Sequence, residues 1–551
     1  MATLLVAGCG DSDEAPLPNL TAATTSSLAS CADLAARLAY PDTSIMAVNA
    51  IAAGTLAVAG KPIPAHCQVQ GQMHRRTSAV DGQAYAIGFE MRLPLNWNGR
   101  FYYQANGGLD GSVLAATGMV GGGGPLDNAL NMGFAVISSD AGHGAPTPFF
   151  GIDPQARLDY GYQAVGKLTP MAKALIRGAY GKGPDRSYIG GCSNGGRHAM
   201  VAAARYADQY DGYLVGNPGY RLPLAAIANI AGGKTYAALA STPGDPSTGF
   251  TAAERGLVSR AVLGKCDALD GVADGLVQDT GACQAAFDLN RDVPTCSGAR
   301  DGSCLSAAQK SGIGALFSGA KTETGTTIYT SFPYDAGFAT AGWASWKFSA
   351  PSTRDAGAVG LVWAVPPESV AGFDGATFVA NGNLGNMLAR VNATSPTYPE
   401  SGYAFMTPPN GSNLAALKHR GAKMLVYHGT SDPIFSSDDT TAWYEGLRAA
   451  NGGDAANFAR YFRVPGMNHC SGGPATEQFD MLTPLVNWVE KGQAPDSVTA
   501  GARGAGNAGG VNSDLPAAWS ASRSRPLCPY PKVARYKGSG DVEQASSFAC
   551  Q

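Results

Sequence analysis

The amino-acid sequence predicts an α/β protein that carries a large insertion. Residues 186–206 fit a strand, a sharp glycine-rich turn and a helix in succession. Two later stretches, 423–433 and 461–470, each fit a buried strand that ends in a loop with a polar residue. Between them and the first stretch, residues from about 219 to 413 show short helical patterns and loops rich in Gly, Thr, Ser and Pro. The strand-forming parts on either side therefore predict one sheet with an inserted unit.

The glycine-rich turn contains a candidate nucleophile. Gly191-x-Ser193-x-Gly195 fits a nucleophile elbow, in which small flanking residues allow a strained turn to hold a serine hydroxyl above the end of a sheet. The pattern alone is weak, because 73 glycines in 551 residues supply on the order of one such match by chance. A simple glycine turn is the alternative interpretation.

A candidate acid and a candidate base follow later in the chain. Asp432 comes just after the strand that starts at Lys423, and His469 comes after the strand that starts at Tyr461. Nucleophile, acid and base in this order, each in a loop after a strand, is the chain order of the α/β-hydrolase fold. We therefore expect a doubly wound, mostly parallel sheet with Ser193, Asp432 and His469 as the catalytic triad.

Two cysteines flank the candidate nucleophile and base. Cys192 directly precedes Ser193, and Cys470 directly follows His469. If these cysteines form a disulfide, their Cα atoms lie within about 6.8 Å. One Cα step of about 3.8 Å on each side then places the serine and the histidine within roughly 14 Å of each other. Two unrelated cysteines are the alternative, but the adjacency favours a bridge that holds nucleophile and base together.

A glycine loop after an earlier strand predicts an oxyanion hole. Residues 100–104 fit a buried strand, which ends in Ala-Asn-Gly-Gly at 105–108. In this fold such a loop supplies one backbone donor, and the residue after the nucleophile supplies the other. The donors would be the amides of Gly108 and Asn194. A simple turn at 105–108 is the alternative.

Three further histidines are expected to serve the scaffold. His143 is a rival for the catalytic base, but it precedes the nucleophile and so breaks the chain order, which favours a structural or pocket-lining role. His198, one turn into the helix after the elbow, and His428, at the end of a strand, are expected to be satisfied structural groups. Other predicted elements are antiparallel strands at 67–73 and 85–91, a strand at 133–138 and a helix at 160–180.

Composition and the first residues indicate an exported protein. A formal charge of -3 and only 15% charged residues leave no basic surface for nucleic acid. The opening residues to Cys9 resemble the end of a lipoprotein signal, although no Lys or Arg precedes Arg37. We expect export to the periplasm, the outer membrane or the medium of a bacterium, with a possible lipid anchor at Cys9 and no protein partner. No later apolar run reaches the roughly 18 residues of a membrane helix.

These patterns divide the chain into three parts. Residues 1–30 are expected to be a signal remnant and tether, 31–218 with 414–551 the catalytic domain, and 219–413 a lid over the elbow. Beyond Cys9, ten cysteines remain, an even number that predicts five disulfides. Sequence does not fix their connectivity, but local closure favours Cys266–Cys283, Cys296–Cys304 and Cys528–Cys550. Once Cys192–Cys470 is formed beside the triad, Cys31–Cys67 is the remaining pair.

The predicted lid contains an acidic loop. Asp267, Asp270 and Asp274 are spaced by three and four residues, with glycines that can bend the loop and no basic residue among them. Carboxylates of this kind suit a hard cation, although the pattern is not that of an EF-hand. A solvated acidic turn fits the composition equally well.

Together these motifs resemble the tannase and feruloyl esterase family. The resemblance covers nearly the whole chain and rests on Gly-Cys-Ser193-x-Gly-Gly, on Asp432 in Tyr-His-Gly-x-x-Asp, and on Pro-Gly-Met-x-His469-Cys. It implies a serine esterase for aromatic acyl groups, with a terephthalate monoester as the first expectation and ferulate or gallate as alternatives. An inactive binding protein on the same scaffold is the non-enzymatic alternative.

The resemblance also implies a metal and a substrate pocket. A structural calcium in the lid would be bound by the side chains of the three aspartates and by the carbonyls of Val272 and Leu276. Phe435 matches a residue that closes over the substrate ring. A free carboxylate on the substrate would need an arginine from the lid, because a guanidinium matches that planar anion. Arg354 is the candidate, with an ordinary surface arginine as the alternative.

Overall fold

The computed structural model describes residues 17–551. The predicted lipid attachment at Cys9, and the signal remnant around it, lie outside the described residues. Within them, no helix is both long enough and apolar enough to cross a membrane.

Nine strands form the central sheet. In chain order they are β1 (Thr43–Ile51), β2 (His66–Thr77), β3 (Ala84–Pro94), β4 (Arg100–Gln104), β5 (Ala135–Ser139), β6 (Arg186–Cys192), β7 (Gly212–Gly216), β8 (Lys423–Gly429) and β9 (Ala459–Val464). Their order across the sheet is β9-β8-β7-β6-β4-β5-β3-β2-β1. The six strands from β9 to β5 run parallel, and β3, β2 and β1 continue the sheet antiparallel. The expected mostly parallel sheet is confirmed.

The parallel strands are buried on both faces because apolar side chains alternate between two cores. In β4, Phe101 and Tyr103 enter one core and Tyr102 enters the other. The first core also contains residues of helices α1 (Ala164–Tyr180), α2 (Asn194–Arg205), α3 (Leu222–Leu239) and α4 (Ser437–Ala450), whereas α5 (Leu482–Lys491) contributes to the second. Helices on both faces of a largely parallel sheet give the doubly wound architecture.

The segment between β7 and β8 consists mainly of helices and loops. Its helices after α3 are Ala252–Cys266, Thr280–Ala286, Leu289–Asp292, Ala307–Phe317, Ala341–Ala344, Gly375–Asn381, Leu384–Asn392, Gly402–Met406 and Ala415–Arg420. Three π-helical turns, Ser345–Ser349, Pro351–Asp355 and Ala358–Trp363, lie among them. We call residues 217–422 the insertion. It has an aromatic core of its own, which includes Phe250, Phe317, Phe338 and Trp343.

Smaller elements complete the chain. Two-stranded pairs join Ser26–Ser27 to Asn96–Trp97, Ala57–Val58 to Lys61–Pro62, Val498–Gly501 to Ser524–Leu527, and Ala534–Tyr536 to Phe548–Cys550. Short helices span Leu34–Arg37 and Pro154–Leu158. The helix predicted at 160–180 starts with a π-helical turn, Asp159–Gln163, before α1. Its carbonyls at Tyr160 and Gly161 accept hydrogen bonds from Arg197, which draws them away from regular helical pairing.

Five disulfides link the described cysteines. They join Cys31 to Cys67, Cys192 to Cys470, Cys266 to Cys283, Cys296 to Cys304, and Cys528 to Cys550. These are the pairs that local closure and the triad argument favoured. Local closure succeeded because three of the five pairs are separated by fewer than about 25 residues, where loop closure costs least.

Candidate active site

Ser193 stands on a strained turn between β6 and α2. Its φ of 66° lies in the left-handed region, which a residue with a side chain adopts only when its surroundings enforce it. The flanking glycines are required because the backbone passes very close. A Cβ atom at Gly191 or Gly195 would lie 2.3 Å from the carbonyl oxygen of Ala105. This geometry is that of a nucleophile elbow.

His469 connects the serine to a buried carboxylate. Its Nε2 lies 2.8 Å from Ser193 Oγ, and its Nδ1 donates to Asp432 Oδ2 at 2.8 Å. The side chain of Asp432 is fully buried and that of His469 is 6% exposed. The structure thus brings the three residues singled out by chain order into the hydrogen-bonded arrangement in which an imidazole can activate an alcohol.

The Asp432 carboxylate is held by several donors. Its Oδ1 accepts from the amides of Ile434 and Phe435, and its Oδ2 also accepts from Asn217 Nδ2 at 2.8 Å. Burial acts to raise the pKa of Asp432. The charge of His469 and hydrogen bonds from His428 and His469 outweigh it and hold the pKa well below its ordinary value. The acid is therefore ionised whenever the base is ready to act.

His428 contributes more than the scaffold role predicted for it. It is fully buried, and its Nε2 donates to the carbonyl of Phe435 at 2.9 Å while lying 3.3 Å from Asp432 Oδ2. Its Nδ1 lies 2.8 Å from the hydroxyl of Thr440. The sequence placed His428 four residues before Asp432, but spacing alone could not show that the strand end turns the ring onto the carboxylate.

The two residues predicted to supply the oxyanion-hole amides, Gly108 and Asn194, line the same pocket as Ser193. In the described chain, neither the amide of Gly108 nor that of Asn194 donates to another group, whereas the amide of Ser193 donates to the carbonyl of Gly216 at 3.0 Å. Asn194 is the first residue of α2, so its N–H is one of the unpaired donors of a helix start. A Cβ at neighbouring Gly107 would lie 3.7 Å from Ser193 Cβ, which places this loop beside the serine.

A disulfide joins the two loops that carry nucleophile and base. The Cα atoms of Cys192 and Cys470 lie 6.0 Å apart, within the limit of about 6.8 Å that a disulfide imposes. Cys470 has a φ of 64°, so the loop turns sharply just after His469. The bridge therefore limits how far the serine and the imidazole can separate.

The insertion is hydrogen-bonded to the loops of both the acid and the base. Asp335, fully buried, accepts hydrogen bonds from the hydroxyl of Thr430 and from the amide of Gly466. Nearby, the Ser431 hydroxyl accepts from the amide of Gly337 at 3.0 Å. A single carboxylate of the insertion thus contacts the segment before Asp432 and the segment before His469. Its partners Thr430 and Gly466 lie 95 and 131 positions away, so no local pattern in the sequence indicates Asp335.

A largely apolar pocket opens beside Ser193. Its walls include Leu109, Tyr160, Leu222, Ala226, Ala358, Trp363, Ile434 and Phe435. The Phe435 ring packs edge-on against His469 with centroids 5.2 Å apart, and the Trp346 ring of the insertion does so at 4.8 Å. Phe435 and Arg354, the two residues predicted to bind the substrate, both line this pocket.

The Arg354 side chain is held by two neighbours, unlike the ordinary surface arginine that was the alternative. Its guanidinium lies 3.9 Å from the ring centre of Trp346, and its Nε and Nη2 donate to Asp355 Oδ1. Its Nη1 donates to no other residue in the part of the chain that the structure describes, and the side chain is 29% exposed. The stacked, paired guanidinium is therefore held in place with one edge unused.

The acidic loop of the insertion contacts the end of the chain. The Asp267 carboxylate accepts from the amides of Asp274, Gly275 and Leu276. Asp274 pairs with Arg525, a basic partner that the local sequence does not reveal. Asp270 Oδ2 and Asp274 Oδ1 are buried and have no hydrogen-bond partner in the described part of the chain. Across residues 17–551, no three His, Cys, Asp or Glu side chains converge on one point.

His143 has the structural role expected of it. Its ring stacks on Phe150 with centroids 3.7 Å apart, and its Nε2 donates to the carbonyl of Leu109 at 2.6 Å. Burial lowers the pKa of His143 to about 4. It therefore remains neutral and supports the pocket wall at Leu109 rather than competing for the role of base.

Comparisons with known proteins agree with this geometry. A profile of the family described as "Tannase and feruloyl esterase" matches residues 67–551. Mono(2-hydroxyethyl) terephthalate hydrolase from Piscinibacter sakaiensis is 41% identical over 526 residues, which cover 89% of this chain and 85% of that protein. Probable feruloyl esterase B-1 from Neosartorya fischeri is 27% identical over 500 residues, covering 84% and 82% of the two chains.

Solved structures show the same fold. Feruloyl esterase B from Aspergillus oryzae has a TM-score of 0.75 at 23% identity, covering 95% of this chain and 99% of its own. Tannin acyl hydrolase from Aspergillus niger has a TM-score of 0.67 at 18% identity, covering 96% of each chain. With the triad-like contacts at the elbow and a family profile over most of its length, the chain belongs to the tannase and feruloyl esterase family and is a carboxylic ester hydrolase.

Proposed function

We propose that the protein hydrolyses esters of aromatic carboxylic acids, with mono(2-hydroxyethyl) terephthalate as its preferred substrate and terephthalate and ethylene glycol as products. The observation that carries the proposal is the contact of Ser193 with His469 at the edge of an apolar pocket that contains one arginine. Identity of 41% to a hydrolase of that ester supports the choice of substrate.

In the first half of the reaction, Ser193 Oγ attacks the ester carbonyl carbon as its proton moves to His469 Nε2. Asp432 keeps the imidazole in the orientation that accepts this proton and offsets the resulting positive charge. The carbonyl oxygen becomes an oxyanion that accepts hydrogen bonds from the amides of Gly108 and Asn194. Each such donor contributes roughly 2.7–4 kcal/mol to the stability of the transition state.

In the second half, the alcohol leaves with the proton from His469, and the acyl group remains on the serine. Water then attacks the acyl carbonyl with His469 as the base, and collapse of the second tetrahedral intermediate releases the aromatic acid. The rings of Trp346 and Phe435, which flank the imidazole, exclude bulk water from this chemistry. We propose that the insertion acts as the lid of this site.

Substitution of the nucleophile tests the catalytic assignment. We expect Ser193→Ala to abolish turnover of mono(2-hydroxyethyl) terephthalate while the circular dichroism spectrum and melting temperature stay close to those of the wild type. Full esterase activity in this variant contradicts the assignment. A fluorophosphonate probe that labels the wild type at Ser193 excludes the alternative of an inactive binding protein.

Arg354 is proposed to bind the free carboxylate of the substrate. Its stacked guanidinium keeps one edge without a partner among residues 17–551, and such an edge suits a planar anion. We expect Arg354→Gln to raise KM for mono(2-hydroxyethyl) terephthalate by roughly 10- to 100-fold, since a hydrogen bond to a charged group contributes about 1.5–3 kcal/mol. The neutral bis(2-hydroxyethyl) terephthalate is the matched substrate, and its KM should stay within about 3-fold. An equal loss for both esters contradicts the proposed role.

The acyl group is tested by competition between substrate classes. Ferulate and gallate esters are the alternatives that the family offers, and a few pocket contacts separate them from a terephthalate ester. We expect kcat/KM to be highest for mono(2-hydroxyethyl) terephthalate in a side-by-side measurement with methyl ferulate and methyl gallate. A higher value for either methyl ester assigns the enzyme to plant phenolic esters instead.

A structural calcium in the insertion is also proposed. Asp267, Asp270 and Asp274, with the carbonyls of Val272 and Leu276, offer the oxygen donors that calcium prefers. The buried, unpartnered oxygens of Asp270 and Asp274 support the proposal. Asp267 is bonded to amides of the same loop and Asp274 to Arg525, so the metal would compete with these contacts. Calcium would neutralise the facing carboxylates and stiffen the loop.

We further propose that the enzyme acts outside the cytoplasm. Five disulfides, including one beside the triad, need an oxidising compartment to form and persist. The periplasm, the outer membrane or the medium of a bacterium meets this condition. A fusion that reports translocation, made with the first 30 residues, tests whether they direct export.

A further inference from the structure

A buried polar network lies behind the oxyanion hole and takes no part in the proton transfer described above. It consists of Asp110, Asn194, Arg197 and His198, each of which is 7% exposed or less. Within residues 17–551, none of these side chains is hydrogen-bonded to Ser193 Oγ or His469. Polar groups buried so deeply are retained only when their hydrogen bonds are satisfied.

Asp110 receives two hydrogen bonds on one carboxylate oxygen. Its Oδ2 accepts from Asn194 Nδ2 at 2.9 Å and from His198 Nε2 at 2.9 Å. Arg197 Nη2, which can only donate, lies 3.0 Å from His198 Nδ1 and 3.3 Å from Nε2. The shorter contact, together with the carboxylate beside Nε2, favours Nδ1 as the acceptor and Nε2 as the donor. Burial also lowers the pKa of His198 well below its ordinary value, so the ring is neutral with its proton on Nε2.

The other end of the Asn194 side chain is held as well. Its Oδ1 accepts from Arg197 Nε at 2.6 Å. The remaining guanidinium donors of Arg197 bond to the carbonyls of Gly161, Tyr160 and Met406. The side chain of Asn194 is thus fixed from both sides, and with it the first turn of α2, which starts at Asn194.

Asp110 belongs to the loop that supplies the other oxyanion donor. It lies two residues after Gly108, in the left-handed region with φ 54°, and its amide donates to the carbonyl of Gly107 at 3.2 Å. The hydroxyl of Tyr160 donates to the carbonyl of Gly108 at 3.1 Å. The loop of Gly108 and the start of α2 at Asn194 are therefore connected through Asp110. This residue belongs to the first segment, and its carboxylate binds the side chain of Asn194 in the second.

We propose that Asp110 is a positioning residue of the oxyanion hole and sets the separation between the amides of Gly108 and Asn194. The proposal rests on the proposed esterase function and adds a residue to the machinery that stabilises the oxyanion. Donors stabilise that charge only when they already lie about 2.7–3.1 Å from its position, so a small change in their separation is costly in rate. His198 and Arg197 act through Asp110 and Asn194 in the same network.

The test compares transition-state and ground-state binding in matched variants. We expect Asp110→Ala to lower kcat on p-nitrophenyl acetate by roughly 10- to 100-fold, less than the 10²–10³-fold that follows complete loss of one oxyanion donor. Its affinity for 4-carboxyphenylboronic acid, which forms a tetrahedral adduct with the serine, should fall by a similar factor. KM and the binding of terephthalate should change by less than about 3-fold. Asp110→Asn, whose carbonyl oxygen can still accept both hydrogen bonds, should recover most of the activity.

Asp211→Asn is the control for the loss of a buried carboxylate. Asp211 is 3% exposed and accepts from the amide of Ser187 and from Arg420, without contact to Gly108 or Asn194. We expect this variant to lose stability but to keep the boronate affinity of the wild type. The proposal is overturned if Asp110→Ala keeps the kcat and boronate affinity of the wild type. It is also overturned if boronate and terephthalate binding weaken equally.

The choice of ester separates this proposal from the proposed substrate. p-Nitrophenyl acetate uses the oxyanion hole without using the aromatic pocket or Arg354. A wild-type enzyme that cleaves p-nitrophenyl acetate but not mono(2-hydroxyethyl) terephthalate contradicts the substrate assignment. The Asp110 variants are then still tested by their kcat on p-nitrophenyl acetate and their boronate affinity. A wild-type enzyme that cleaves neither ester contradicts both.

Discussion

The Cα atoms of Cys192 and Cys470 lie 6.0 Å apart although 278 positions separate them in the chain. Each cysteine is the immediate neighbour of a residue in the Ser193–His469 contact of 2.8 Å. The covalent link therefore acts on the same two loops that the catalytic hydrogen bond joins. Its removal should affect both the stability of the fold and the geometry of the site.

Removal of this disulfide is predicted to lower activity as well as stability. We expect the double variant Cys192→Ala with Cys470→Ala to lose roughly 2–4 kcal/mol of unfolding free energy, because the bridge closes a long loop. Its kcat should fall at least 10-fold at temperatures where it is folded. The control is Cys296→Ala with Cys304→Ala, which opens a loop with a separation of only 8 and should keep its kcat. Thermal denaturation and steady-state kinetics measure both effects, and equal kcat losses in the two variants contradict the prediction.

His428 is predicted to hold the catalytic acid in place. Because its Nε2 lies between the carbonyl of Phe435 and Asp432 Oδ2, His428→Phe removes a donor from the carboxylate without shrinking the side chain. We expect kcat to fall by roughly 10- to 100-fold with little change in KM, which steady-state kinetics would measure. His66→Phe, another buried histidine on β2 outside the site, should affect stability alone. If the two variants keep the same kcat, His428 has no positioning role.

Asp335 is predicted to couple the insertion to the triad loops. Both of its oxygens accept hydrogen bonds, Oδ1 from the amide of Ala336 and Oδ2 from that of Gly466. Asp335→Asn turns an amide group toward one of these N–H donors, and an unsatisfied buried donor costs about 1–3 kcal/mol. We expect a lower melting temperature and a lower kcat. Thr430→Val, which removes a single hydroxyl from the same cluster, should show a smaller effect on both, and a larger effect would argue against Asp335 as the central acceptor.

Metal removal tests the proposed calcium. We expect the purified enzyme to contain calcium by elemental analysis and to lose several degrees of melting temperature in EDTA, with recovery on addition of CaCl₂. Because no residue of this loop lines the pocket beside Ser193, the kcat of the chelated but folded enzyme should be nearly unchanged. Asp270→Asn should melt at the same temperature with and without EDTA. The absence of calcium together with a melting temperature that EDTA does not alter refutes the site.

Lys347 gives a prediction for the pH dependence of stability. Burial lowers the pKa of Lys347 to about 8, against the opposing charges of Asp432 and Asp355. Between that value and the ordinary pKa of about 10.4, the unfolded chain binds more protons than the folded one. The contribution of Lys347 to the free energy of unfolding therefore rises with pH across this interval. We expect Lys347→Met to lack this rise. The measurement is the change in melting temperature between pH 7 and pH 9.5, which should be more favourable to stability in the wild type than in the variant.

Local patterns in the sequence predicted much of the fold and the triad. The strand before Asp432 is a mostly apolar run that ends at a glycine, and the strand before His469 is a short, mostly buried segment that is followed by a proline. These signals act over a few residues. The elbow was recognisable because Gly191 and Gly195 are sterically required. Parallel strands place their C-terminal loops at one edge of a sheet. A sequence that shows the three residues in loops after such strands is therefore enough to predict that they lie close together.

Contacts between distant segments could not be predicted in the same way. Asp335 lies far in sequence from Thr430 and Gly466, and Arg525 lies far from Asp274, so no spacing rule connects them. These partners are set by the docking of the insertion and of the C-terminal region on the sheet. The cation–π contact of Arg354 with Trp346 could not be predicted either, because it depends on the π-helical turns that carry the two residues.

The position of the insertion also governs how the chain is completed during synthesis. β7 ends at Gly216 and its sheet partner β8 begins at Lys423, so β7 exposes an unpaired edge until the whole insertion has been made. A chain arrested before β8 would have the serine but neither acid nor base, and its open strand would favour self-association over partial activity. Truncated forms of this enzyme are therefore expected to accumulate as aggregates rather than as weak esterases.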